Sequence, residues 1–305
     1  MRADLALLGA NLVYGTSYVA ARLTLDGIPP AALALSRCVI GAALLLPLAR
    51  RGPVFAPIAG ADHARIAAMG VLGFGVAFAL AHWGLVRSTA ANAALLIIVE
   101  PLAIVALSPL MLGERLGRRE ALGGAVAVAG TVLVVLDGIP GVTVRLAPHW
   151  RGDLLLVGSA IAFASYSLIG RDVLRRHAST PVTALSISWG AVALTPLAAL
   201  EWWAGARPTW TATSVTGMLY LGVIITALAY LVWNWALERV EAPRAAVFLT
   251  VQPVVGALLG VALLGESVTI FTAVGGAVIM AGVYSSRARE SEVSAPERER
   301  ESAHR

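Results

Sequence analysis

The chain has 305 residues, 58% hydrophobic and only 13% charged, with a mean hydropathy of +0.79 and a formal net charge of +5. A soluble domain carries about a quarter charged residues, so the composition excludes an ordinary soluble enzyme and reads as an integral membrane protein. All 23 basic residues are Arg, set in short gaps between apolar runs, where they orient a chain in a bilayer rather than recognise nucleic acid.

A bilayer core about 30 Å thick needs roughly 20 apolar helical residues to cross it. Runs of that order lie at 5–25, 31–49, 65–86, 90–112, 119–137, 152–170, 181–200, 213–236, 243–264 and 268–285. An all-α protein with ten transmembrane helices is therefore expected. The first run is too long for the roughly 7 to 15 apolar residues of a signal peptide and reads as a retained helix. It carries Asn11, Tyr14 and Tyr18 on one stripe. The second holds Cys38, whose solitude excludes an intrachain disulfide framework and a thiolate metal centre, and Arg37, about six residues from the span's start. Arg37 reads either as a snorkelling structural cation or as the partner of a solute or of an intramembrane acid. The third carries Phe74, Phe78 and His82 at helical spacing; His82, about one turn from the end, reads as a gate or an interfacial group.

The fourth run contains "LIIVEPLAIV", from Leu96 to Val105. Of the 18 acidic residues, Glu100 alone lies deep in a span, about ten residues or roughly 15 Å from its end. An acid at a helix centre costs about 2.5–3.5 kcal/mol on insertion scales and is by default functional. Pro101 cannot donate its backbone hydrogen bond, so an open carbonyl near Ile97 is expected beside the carboxylate. Glu100 reads as the group that binds a cationic part of a solute or carries a coupled proton; the structural alternative is a glutamate held by Arg37 or by neighbouring serines. Asn92, two turns earlier on the same face, would line a route to the centre. Beyond it, the sixth run offers Phe163, Tyr166 and Ser167, the eighth Tyr230, Trp233 and Asn234, and the ninth Gln252. Aromatic walls with sparse polar groups suit an amphipathic organic solute. Trp202, Trp203 and Trp210 read as an interfacial belt. The last twenty residues are charged, lack an apolar face, and are expected to be a disordered tail.

Shifted by 152 residues, the stretch from Val99 falls on that from Val251, pairing Pro101 with Pro253, Gly113 with Gly265, Glu114 with Glu266, Gly123 and Gly124 with Gly275 and Gly276, and Gly130 with Gly282. Gln252 thus replaces Glu100, and Arg244 replaces Asn92. Two homologous halves are expected, over 1–140 and 141–285, with the tail at 286–305. Five spans per half is odd, so the halves enter the membrane in opposite senses, a 5+5 inverted repeat of the kind secondary transporters use for alternating access. With the N-terminus inside, 17 arginines fall on the inner side and 5 on the outer, so both termini are expected in the cytoplasm. The paired glycines permit close helix approach, and Glu114 and Glu266 read as caps or ion pairs at the membrane surface.

Two copies of a Pro…Leu-Gly-Glu…Gly-Gly…Ala-Gly pattern, the Arg in "LALSRCVIG" and the aromatic in "NLVYGTSYVAARL" resemble the EamA family of the drug/metabolite transporter superfamily. The resemblance covers about 5–285. It implies a central cavity lined by helices 1, 3, 4, 6, 8 and 9, and frequently export of amino acids or other small metabolites. The second half departs from the first in carrying Ser188 where Arg37 stands. The expected partners are a small-molecule solute, the lipid bilayer and, if Glu100 titrates, a proton. No cofactor and no metal is expected, and a bacterial cytoplasmic membrane is the expected location. An exporter of lipophilic cations is the nearest alternative. An intramembrane enzyme finds no HExxH, GxSxG or phosphate-binding motif, and a channel would usually show a ring of charge or carbonyls.

Overall fold

The computed structural model describes residues 2–51, 58, 60–112, 118–136, 149–174, 176–237, 248 and 251–287, and among these every ordered element is helical. The Ala- and Leu-rich apolar runs become α1 (Arg2–Leu25), α2 (Pro30–Arg51), α5 (Arg118–Leu136), α6 (Trp150–Leu174), α7 (Ser179–Trp203), α9 (Val251–Leu264) and α10 (Ile270–Arg287). The other three are interrupted. α3 runs Gly60–Met69, widens into a π-helix over Gly70–Val76 and resumes as Ala77–Leu85. α8 does the same, with Ala212–Leu219, a π-helix over Tyr220–Ala229 and Tyr230–Leu237. α4 is split into Ala90–Leu96 and Val99–Leu112. Among the described residues five helices are long and apolar enough to cross a membrane, and four shorter apolar ones accompany them. The charged tail beyond residue 287, Glu114 and Arg244 lie outside the described residues.

Packing is dominated by contacts between the two halves of the sequence. α5 lies along α10, α2 along α7, α1 along α9 and α6 along both α3 and the second piece of α4, while the π segments of α3 and α8 press on α7 and α2 respectively. The halves interdigitate and do not form separate bodies. Small residues allow this: a Cβ at Gly41 of α2 would stand 2.9 Å from Thr226 Cγ2 of α8, and one at Gly190 of α7 would stand 2.4 Å from Phe74 Cβ of α3. Gly124 departs from the expectation of close approach, since among the described residues nothing lies within 4 Å of where its Cβ would be.

The end of the bundle where α1 and α3 finish and α2, α4 and α6 begin is tied together by carboxylates. Glu201 of α7 accepts from the backbone N–H of Ala31 and Ala32 at 2.9 and 3.3 Å and from Trp83 Nε1 at 2.8 Å. Glu266, after α9, accepts from Ala90 and Ala91 N–H at 2.7 and 2.8 Å. Each acid caps the open N-terminus of a helix from the other half, where orphan donors and the helix dipole favour negative charge. The belt reading fits Trp202, Trp203 and Trp210, which are 51%, 79% and 66% exposed.

Candidate functional site

The break in α4 places the intramembrane acid. Ile98 N–H bonds back to Leu95 O at 3.2 Å and Glu100 N–H to Ile97 O at 2.9 Å, a tightened turn between the first piece and the second, which starts at Val99 with Pro101 in its first turn. The expected open carbonyl at Ile97 is therefore absent: its oxygen is taken by Glu100's own N–H. Glu100 instead sits in the first turn of Val99–Leu112, where unpaired N–H groups and the dipole favour a carboxylate. Its Oε1 accepts from Ser167 Oγ of α6 at 3.2 Å, a hydroxyl also within 3.4 Å of Phe163 O. Glu100 is half-buried.

Around it the predicted aromatic stripes converge from four helices. Phe74 of α3 is fully buried and meets Phe78, Tyr166 and Tyr230 at centroid distances of 5.4, 5.3 and 5.4 Å and Phe163 at 6.2 Å. Phe163 and Tyr166 lie 5.3 Å apart, and Tyr14 of α1 meets Tyr230 edge-on at 5.4 Å and Trp233 at 6.5 Å. Tyr14, Tyr18, Phe163, Tyr166 and Tyr230 are each only half-buried.

Gln252 occupies the equivalent place at the start of α9. Its Nε2 donates to Asn11 Oδ1 at 2.7 Å, and Tyr18 Oη reaches its Oε1 at 3.5 Å. Tyr18 stands to Gln252 as Ser167 stands to Glu100: in each case, a hydroxyl on the first helix of one half meets the polar residue that precedes proline in the other. Only the first half puts a charge there.

Arg37 is the main correction. It does not snorkel but lies 7% exposed inside the bundle, its Nε donating to Thr226 Oγ1 at 3.0 Å, its Nη1 3.4 Å from His82 Nε2 and its Cζ 4.1 Å above the Phe78 ring. Glu100 is not its ion-pair partner in this conformation. Thr226 is held for this task by the π-helix, donating to Leu221 O five residues back at 2.8 Å. His82, expected near the surface, is 2% exposed and faces Arg37.

Asn92 does not line a route to Glu100. Its Nδ2 lies 3.3 Å from both carboxylate oxygens of Asp153 and 3.4 Å from His149 Nδ1, and its Oδ1 accepts from Thr272 at 3.4 Å. Asp153, fully buried, also accepts from Ser88 and pairs with His149 Nδ1 at 2.8 Å. This cluster joins α4, α6 and α10 at the capped end of the bundle. Sequence reading missed Asp153, His149 and Thr226; the first two sat in a stretch taken for a loop and its edge, and the third had no polar neighbour in sequence to mark it. Among the described residues no group of His, Cys, Asp and Glu is placed to hold a metal ion.

A helical membrane bundle with a half-buried acid at a helix break, a buried guanidinium and a cluster of aromatic rings has the equipment to bind and pass an organic solute. The model of the EamA-like transporter family matches residues 1–136 and again 150–287, and the chain belongs to that family. It is a multi-pass membrane transport protein and not an enzyme. A probable terminal-alkyne amino-acid exporter of Streptantibioticus cattleyicolor is 29% identical, over 91% of each chain. An uncharacterized transporter of Archaeoglobus fulgidus is 28% identical over 92% of this chain and 95% of its own. A probable amino-acid metabolite efflux pump of Salmonella typhimurium is 24% identical over 90% of both. A solved crystal structure at 24% identity superposes with a TM-score of 0.62 over 93% of this chain and 96% of that one, which shows a shared fold.

Proposed function

We propose that the protein exports small organic metabolites such as amino acids, by alternating access around a chamber at the membrane midplane whose polar floor is Glu100. The observation that carries this is the placement of the acid: it sits at a break in α4, bonded to one serine and, among the described residues, to no cation, beside half-buried aromatic rings. Relatives named as amino-acid metabolite and alkyne amino-acid exporters support the direction and the solute class. Two further features support the 5+5 inverted repeat of ten spans, with halves over 1–140 and 141–285. The π segments of α3 and α8 fall at corresponding places, and the partners of α1 to α5 mirror those of α6 to α10. In this arrangement the arginine bias puts both termini and the charged tail in the cytoplasm of a bacterial cell, and the carboxylate-capped end faces outward.

In this cycle the aromatic rings part on one side at a time, and Glu100 receives the cationic group of the solute. Counterflow in proteoliposomes tests it: wild type and Glu100→Gln, each with and without a pH gradient, against amino acids and against lipophilic cations. Amino-acid counterflow by wild type that Glu100→Gln abolishes is the expected result, and loss of only the gradient response would make Glu100 a proton-coupling group. Counterflow of lipophilic cations alone would replace the solute class. Unchanged behaviour of the mutant in both modes would remove Glu100 from the mechanism.

A further inference from the structure

A guanidinium taken out of water is costly unless an anion meets it. Arg37 is 7% exposed, yet among the described residues no carboxylate pairs with it. Its partners are a threonine hydroxyl, a histidine ring and the face of Phe78. The Tyr14 hydroxyl is buried with no hydrogen-bond partner among the described residues. The buried guanidinium and the unpartnered phenol thus share one aromatic lining, Tyr14 against Tyr230 and Arg37 against Phe78, with ring contacts running from Phe78 to Phe74 to Tyr230.

We propose that Arg37 and Tyr14 form the binding site for the carboxylate of the transported solute, at the opposite side of the aromatic lining from Glu100. This rests on the reading above and narrows its solute to a zwitterion. Among the described residues Glu100 and Arg37 form no ion pair, and the ring contacts run from Phe78, under the guanidinium, through Phe74 to Tyr166, the neighbour in α6 of the serine that bonds Glu100. The rings therefore link the surroundings of the acid to those of the guanidinium. A zwitterion held there has its ammonium toward Glu100, its carboxylate toward Arg37 and Tyr14, and its apolar body on the rings. Guanidinium and phenol together supply N–H and O–H donors to the two carboxylate oxygens, the geometry in which charge-assisted bonds are strongest. A solute with only a cationic group leaves Arg37 as it is now, without an anion.

The test is ligand protection against thermal unfolding in detergent, with three probes that share one aryl body: L-phenylalanine, 3-phenylpropionate (anion only) and phenethylamine (cation only). For wild type, 3-phenylpropionate raises the midpoint, and L-phenylalanine raises it further. In Arg37→Gln the shift with 3-phenylpropionate is lost and that with phenethylamine is kept; Arg37→Lys retains part of it. Tyr14→Phe keeps the ring and loses only the hydroxyl, so its shift with 3-phenylpropionate shrinks, which decides the matter even where Arg37→Gln fails to fold. No protection of wild type by 3-phenylpropionate, or equal protection of wild type and Tyr14→Phe, overturns the proposal. Failure of the Glu100 reading shows separately, as phenethylamine protection that Glu100→Gln leaves intact.

Discussion

The crossing of α5 and α10 offers a test whose size follows from distances. A Cβ added at Gly130 would stand 2.7 Å from Gly275 O and Ile279 N, and one at Gly282 would stand 2.6 Å from Ala127 N and Gly123 O. These are backbone atoms in rigid helices, so the clash is relieved only by moving one helix off the other by some tenths of an ångström, and overpacking of this kind costs about 1–3 kcal/mol. Replacing glycine by alanine within a helix also returns up to about 1 kcal/mol. Gly124→Ala isolates that gain, because nothing lies within 4 Å of its Cβ position. The propensity term cancels between the variants, which leaves a gap of about 1–3 kcal/mol between Gly124→Ala and either Gly130→Ala or Gly282→Ala. At roughly 2–4 °C per kcal/mol, the unfolding midpoints followed by tryptophan fluorescence in detergent should differ by several degrees. Equal midpoints for all three variants would refute the close approach of the two helices.

Glu266→Ala strips two backbone donors at the start of α4 of their acceptor and is expected to destabilise by about 1–2 kcal/mol, as loss of a helix cap does. Glu266→Gln keeps one oxygen and should fall between, by the same unfolding assay. Asp153→Ala leaves Ser88, Asn92 and His149 facing an empty place in a fully buried cluster, a loss of about 3–5 kcal/mol by analogy with other broken buried pairs; a midpoint within a degree of wild type would show that the cluster is wet and unimportant.

What could be read from sequence was what periodicity and cost make visible. Apolar runs of span length locate the helices to within a few residues, and an acid inside one stands out because burying it is expensive. The aromatic stripes at helical spacing found most of the lining for the same reason: Phe74, Phe78, Tyr166 and Tyr230 do meet. Depth along a span, by contrast, does not give direction around it. Arg37 and His82 lie close to a span end, where a long side chain can turn either outward or inward, and only the packing of α2 against α8 decides for inward. The π segments leave no hydrophobic signature, since an added residue per turn changes which residues share a face without changing composition. Glu266 was recognised as a cap, but its helix is in the other half of the chain, which no local rule can supply.

The central claim is that Ser167 and Glu100 border a chamber that opens to each side of the membrane in turn and closes on the solute. With Cys38→Ala removing the one native thiol, Ser167→Cys places a near-isosteric thiol beside the acid, to be challenged by a membrane-impermeant thiol reagent in right-side-out and inside-out vesicles. Reaction from both faces, slowed in each case by saturating L-phenylalanine, is the predicted result. A thiol inert from both faces, or one whose reaction the solute leaves unchanged, would contradict the account and return the aromatic cluster to the status of a packed core.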